Sequence, residues 1–206
     1  MEEDVDGRLA RGMARRALLL AAAVRVVAHA GAGALTHRAV ASEAQVSIAS
    51  VTYHFPTIGT LRRETFQDAG SKIGLELAAL VHAATDRVDE VPDICGTYAV
   101  RLVVERRDET QAVLELIVAA GHDADLRPVV ALYNGLLATL LTPYLGDEGR
   151  ARTVGAAIQG ILLVHFAGAF EGDTAALAEL IADLIRRSRT AEPTTTSPDG
   201  PGRHTN

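Results

Sequence analysis

The stretch Thr36–Phe55, THRAVASEAQVSIASVTYHF, decides the fold. It holds two short amphipathic patterns separated only by Gln45, Val46 and Ser47. Thr36 is placed to cap the first pattern, whose apolar side is Ala39, Val40 and Ala44, and Ser47 is placed to cap the second. The second runs from Ile48 to about His54 and stops before Pro56, because the residue preceding a proline is pushed out of the helical region. Helices of about seven residues are marginal in water, since nucleation is costly and few hydrogen bonds repay it. Both must therefore be propped on each other and on the preceding helix, through Val40, Ala41, Ala44, Val46, Val51 and Phe55. Their other faces stay free. On the second helix the outward set is Ser47, Ile48, Ser50, Thr52 and Tyr53, with His54 at the end. Small hydroxyls, one aliphatic group and two polar rings suit the major groove of double-stranded DNA, which admits one helix and is read by hydrogen bonds and methyl contacts.

Working outward, ARRALLLAAAVRVVAHAG predicts a first helix with Leu18, Leu19, Ala22, Val26 and Val27 on its apolar stripe and Gly31 as its stop. AGAGAL then reads as a flexible connection. A long fourth helix is expected from about Thr57, with Leu61, Phe66, Ile73, Leu77, Leu80 and Val81 inward and with Gly70 and Gly74 weakening it. A fifth follows Pro92, ETQAVLELIVAAGH makes a sixth, RPVVALYNGLLATLLTPYL a seventh, Asp147 to Glu171 an eighth, and DTAALAELIADLIRR a ninth. The fold class is all-α, a three-helix helix-turn-helix unit followed by a helical body, about nine helices in total. The expected divisions are a disordered acidic stretch (1–7), the helix-turn-helix domain (8–56), the effector-binding and dimerisation body (57–188) and a disordered Pro-containing tail (189–206).

The net charge of −6 on 206 residues conceals an asymmetry. From Arg8 to Arg63 eight arginines face one acid, Glu43, whereas the chain beyond Arg63 is acidic. A basic head on an acidic body is expected where only the head meets a polyanion. The lone Cys95 excludes an intramolecular disulfide and a cysteine-based zinc cluster, and fits a cytoplasmic location. The apolar runs ALLLAAAV and GILLVHFAGAF fall short of the roughly 20 residues that span a bilayer, and MEEDVDG lacks the basic start of a secretory leader, so no membrane partner is expected. No GxSxG, HExxH or phosphate-cradling glycine motif is present, which argues against an enzyme and against a cofactor. GHDAD around His122 reads as a helix-end cap and solvated loop, with no metal.

From Ala14 to Arg63 the chain resembles the tetracycline-repressor (TetR) family of bacterial transcription regulators, on LTHRAVASEAQVS, TYHF and the spacing of Thr36, Ala41, Ala44, Val46, Ser47, His54 and Phe55. The resemblance implies double-stranded DNA as partner, a homodimer joined by a four-helix bundle, and a small-molecule effector. It places Thr36 on a phosphate, Arg38 within reach of a base, and Tyr53 and His54 on the sugar-phosphate backbone, while Ile48 and Ser50 face the bases. An arginine forked onto guanine contributes about 1 to 3 kcal/mol of discrimination. His37, Ser47, Thr52 and Thr57 complete the expected DNA-facing set. Three positions depart from the family's pattern: Gln45 stands where glycine is usual, Thr52 where an aromatic is frequent, and Ile58 where a lysine commonly meets a phosphate.

In the body, Gly160, Val164 and Gly168 form a small-residue stripe at intervals of four, and Leu177, Leu180, Ile181 and Leu184 an apolar face on the ninth helix. These are the dimer-interface candidates, with packing inside one chain as the alternative. An effector pocket between the fourth and eighth helices has as candidates His82, Tyr98, Arg101, Glu105, His122, Tyr133, His165, Phe166 and Phe170. The function expected is a repressor that binds a palindromic operator as a dimer and is released by a small molecule. The alternatives are an all-helical interaction module or an enzyme without DNA binding.

Overall fold

The computed structural model describes residues 2–168 and 173–189. Its helices are α1 (Glu2–Ala30), α2 (His37–Glu43), α3 (Ile48–His54), α4 (Ile58–Ala83), α5 (Val91–Val104), α6 (Arg107–Ala119), α7 (Arg127–Leu145), α8 (Glu148–Phe166) and α9 (Thr174–Ser188). Two 3-10 turns, Ala32–Ala34 and Val88–Glu90, connect α1 to α2 and α4 to α5. Among the described residues there is no strand.

The head is built as its sequence requires. α2 packs on α1 and α3 on α2, and Leu19, Val27, Leu35, Val40, Val51, Phe55 and Leu61 are all fully buried there. Each side chain of this size contributes about 1.5 to 3 kcal/mol when removed from water, enough to hold two helices too short to persist alone. The turn between them is a Schellman motif: Val46 N–H donates to Ala41 C=O at 2.9 Å, Gln45 N–H to Ser42 C=O at 3.2 Å, and Gln45 takes φ 55°. The left-handed conformation expected at this glycine position is therefore adopted by a glutamine.

Three local expectations change. Leu18 is largely exposed, because α1 buries a broad arc containing Leu19, Leu20, Ala23, Val24 and Val27 against α2, α4 and α6, and Leu18 falls outside it. AGAGAL is ordered, with Gly31 at φ 80° ending α1 and Leu35 fully buried beyond the 3-10 turn. The acidic stretch 1–7, expected to be disordered, is helical from Glu2; no proline interrupts it, and Gly7 weakens it by only about 1 kcal/mol. The tail beyond Arg189 lies outside the described residues.

In the body, α9 lies along α5, α7 along α8, and α4 crosses α6 and α7. The α5–α9 approach depends on Gly96: a Cβ built there would strike the backbone carbonyl of Ala178. Cys95 beside it is buried, and burial pushes its thiol up to about 12. α7 has the length and apolarity of a membrane span, a helix that the sequence reading passed over; it packs against α4 and α8.

Gly96→Ala should destabilise the fold by about 1 to 3 kcal/mol through overpacking, despite the better helix propensity of alanine. Gly74→Ala, where an added Cβ meets nothing within 4 Å, should be neutral or stabilising by up to about 1 kcal/mol. Urea denaturation of the two variants measures the contrast.

Candidate functional site

Three helices of the head begin on hydroxyl caps. Thr36 Oγ1 accepts from Ala39 N–H at 3.0 Å, Ser47 Oγ from Ser50 N–H at 3.2 Å, and Thr57 Oγ1 from Thr60 N–H at 3.1 Å. All three caps are solvent-exposed. His37 Nε2–H donates to the Phe55 carbonyl at 2.7 Å, satisfying an acceptor that the end of α3 would leave open. That bond also draws the start of α2 to the α3–α4 junction, bringing Thr36 near the segment that carries Thr57. His37 is thus a clamp within the motif, and one of its ring nitrogens is already engaged.

On α3, Tyr53 is 82% exposed and Ile48 48% exposed, values that no packing role explains. The Tyr53 ring meets His54 edge-on, with centroids 5.2 Å apart. Thr52 Oγ1–H donates back to the Ile48 and Ala49 carbonyls at 3.2 Å, so its oxygen can only accept from outside. Ser50 is half-buried. Ile58, at the position where a lysine is usual, is partly buried and packed on the core. The arrangement offers exposed hydroxyls, free amides at helix starts and one unshielded phenol, all suited to phosphate and base-edge contact.

The charge of the head is partly spent internally. Arg16 pairs with Glu64 and covers the Phe55 ring, Arg25 pairs with Glu43 at 2.6 Å, and Arg62 with Asp123 at 3.1 Å. Arg38 and Arg63 make no ion pair among the described residues. The Arg62–Asp123 pair and the approach of Asp125 to Gly59, 2.9 Å from where a Cβ would stand, seat the α6–α7 loop on the start of α4. Asp123 also accepts from Asp125 N–H at 3.0 Å, so the GHDAD segment is a turn that clamps the head to the body.

Between α4 and α7 lies a cavity of about 360 Å³, within the size range of small-molecule sites. Phe66, Gly70 and Gly74 from α4 and Leu132, Tyr133 and Leu136 from α7 form much of its wall. Of the nine effector-contact candidates, Tyr133 lines it; its ring packs on Gly70 and edge-on against Phe66 at 5.5 Å. Tyr98 is a buried core residue whose hydroxyl donates to the Ile73 carbonyl at 2.8 Å, beside a smaller inner cavity. Arg101 and Glu105 belong to an ion network: Arg101 meets Glu76 at 2.5 Å and Glu105 at 3.3 Å, and Arg106 shares Glu76. His82 and His122 are exposed at helix ends. His165 and Phe166 end α8, where Arg107 stands 5.0 Å over the Phe166 ring; partial burial and Arg107 hold the His165 pKa below its usual range. Phe170 lies outside the described residues. The wall is mostly apolar and is built from α4 and α7, so neither the polar candidates other than Tyr133 nor Phe166 belongs to it; the signal for it in the sequence is Gly70 and Gly74, one turn apart in a long helix.

The dimer candidates divide. Leu177 and Ile181 are fully buried inside the chain, where α9 packs on α5, so that part of the apolar face is internal; Leu184 is partly buried beside them. Gly160, Val164, Gly168 and Leu180 are exposed, together with Leu163.

Residues 19–65 match the family model for bacterial regulatory proteins of the tetR family. This segment holds the helix-turn-helix unit, and the described chain has the fold of TetR-family transcriptional regulators. The multidrug binding protein EbrR, solved in complex with imidazole, is 28% identical, with 87% of this chain and 97% of that one covered and a TM-score of 0.68. A TetR-family member from Streptomyces coelicolor A3 is 29% identical over 83% of this chain and 98% of its own, also at 0.68. A transcriptional regulator from Rhodococcus sp. Rha1, 20% identical over 84% and 94% of the two chains, shares the fold at a TM-score of 0.76. No curated relative matches the sequence.

Gln45→Gly should relieve the left-handed strain and stabilise the head by about 0.5 to 1 kcal/mol, while Gln45→Val should destabilise it. Thermal unfolding of both variants gives the sign.

Proposed function

We propose that the chain is a ligand-responsive transcriptional repressor, a regulator rather than an enzyme, that acts in the cytoplasm. As a dimer it binds a palindromic operator and is released by a small molecule held in the α4–α7 cavity. The observation that carries the DNA half is α3: a helix held by its neighbours through Val51 and Phe55, with Tyr53 and Ile48 left bare on the other side. Tyr53 and His54, with the caps Thr36, Ser47 and Thr57, supply backbone contacts that fix register; Arg38, Ile48 and Ser50 supply base-edge contacts, with Thr52 as an acceptor. Arg38 fits this role because no acid engages it among the described residues.

The dimer is proposed through the exposed part of α8 and α9, at Gly160, Leu163, Val164, Gly168 and Leu180, with Leu184 at its margin. Gly160 has no atom within 4 Å of where a Cβ would stand, so a partner helix can approach closely. Two heads related by a two-fold axis then meet half-sites about 34 Å apart. Effector release is supported by the position of the cavity, whose wall α4 starts in the head, and by the solved relative EbrR, which is a multidrug binding protein. A ligand that prefers one head spacing over the other by about 1 to 3 kcal/mol suffices for control.

Selection of bound fragments from random DNA should recover a palindrome, and recovery of none would refute the dimeric reader. On the selected site, Tyr53→Ala should weaken binding to all sequences alike, whereas Arg38→Ala should relax preference at one base pair by about 1 to 3 kcal/mol. Affinity should also fall by orders of magnitude between about 50 and 200 mM salt. A salt-insensitive complex would point to a protein-interaction module instead.

A further inference from the structure

The wall of the α4–α7 cavity carries no carboxylate, ammonium, guanidinium or imidazole. Its polar side chains are Gln67, Ser71, Tyr133 and Thr139. Gln67 is exposed to solvent, and two others are spent: Ser71 Oγ–H donates to the Gln67 carbonyl, and Thr139 Oγ1–H to the Gly135 carbonyl at 2.9 Å, both within their own helices. Tyr133 differs. Its hydroxyl makes no hydrogen bond among the described residues, and the residue lines both this cavity and the smaller inner one. Burial raises its pKa, which keeps it a neutral donor throughout the physiological range.

Glu76, on the same stretch of α4, is held by Arg101 and Arg106. Asp68 is likewise paired with Lys72 at 2.6 Å. A charged ligand would therefore lose its hydration in the cavity without a counter-charge, a large penalty that an apolar ligand does not meet. The floor is open for lack of side chains: nothing lies within 4 Å of where a Gly74 Cβ would stand.

Resting on the effector reading above, we propose that this cavity takes an uncharged, largely apolar molecule with one hydrogen-bond acceptor directed at the Tyr133 hydroxyl. The selectivity has two parts. Charge of either sign is rejected because the wall offers no counter-charge, and a carbonyl or ether oxygen is favoured over none because Tyr133 otherwise stays without a partner.

The test uses the full chain and matched probes. N-phenyl-1-naphthylamine is neutral, 8-anilino-1-naphthalenesulfonate is the same skeleton with an added anion, and ethidium is an aromatic cation. Fluorescence titration should show the neutral amine binding at least tenfold tighter than either charged probe. Gly74→Leu, which fills the floor, should weaken it at least tenfold. Benzophenone should displace it at lower concentration than diphenylmethane, which lacks the acceptor, and Tyr133→Phe should remove about fivefold of that preference.

Equal binding of ethidium or the sulfonate in a Gly74→Leu-sensitive manner overturns the neutral class and leaves an effector cavity standing. If binding of every probe is indifferent to Gly74→Leu in a variant that melts normally, both readings fall. Should Gly74→Leu not fold, the charge comparison and the benzophenone pair on the unaltered chain decide the proposal alone.

Discussion

Two seven-residue helices cannot hold their shape in water, and the rest of this molecule follows from how that shortage is met. Val40, Val51 and Phe55 are buried completely against the first helix and the start of the fourth, and the Schellman turn and the His37 bond to Phe55 fix the angle between the pair. Because the support comes from one side only, the far side is free to carry side chains chosen for a partner. Tyr53, 82% exposed, is the largest side chain left on that side of α3.

The same reasoning separates what could be read in the chain from what could not. Caps, a stop and periodicity placed α2, α3 and α7 within a residue of their observed limits; Thr36, Ser47 and Pro56 act over one or two residues and need no knowledge of the rest. The left-handed Gln45 was legible only through the family resemblance, which puts glycine at that position. Leu18 was misplaced because its burial depends on which neighbours α1 meets, and α1 meets three. Leu177 and Ile181 show this limit again. An apolar helical face says that something covers it, and only the close α5–α9 crossing at Gly96 says that the cover is internal.

The body illustrates a different limit. Polar side chains were sought as effector contacts, yet Arg101 and Glu105 are engaged in the network around Glu76 and Tyr98 is bonded to a backbone carbonyl. Salt bridges and satisfied core hydroxyls look the same as binding residues in a linear sequence. The cavity is instead defined by absence, by two glycines on α4 and by leucines on α7 that find no neighbour, Leu132 and Leu136 being 61% and 57% exposed. Composition cannot reveal a void. Only the distance between two helices can.

One helix, α4, has its cap Thr57 among the head's exposed hydroxyls and Gly74, seventeen residues further on, in the cavity wall. At a rise of about 1.5 Å per residue the two lie roughly 25 Å apart on one rod. By that lever arm, a tilt of about 5° pivoting at the cavity would carry the cap through about 2 Å. Such a displacement exceeds the tolerance of a hydrogen bond, so a modest shift in how the rod seats is enough to break any contact made at the cap.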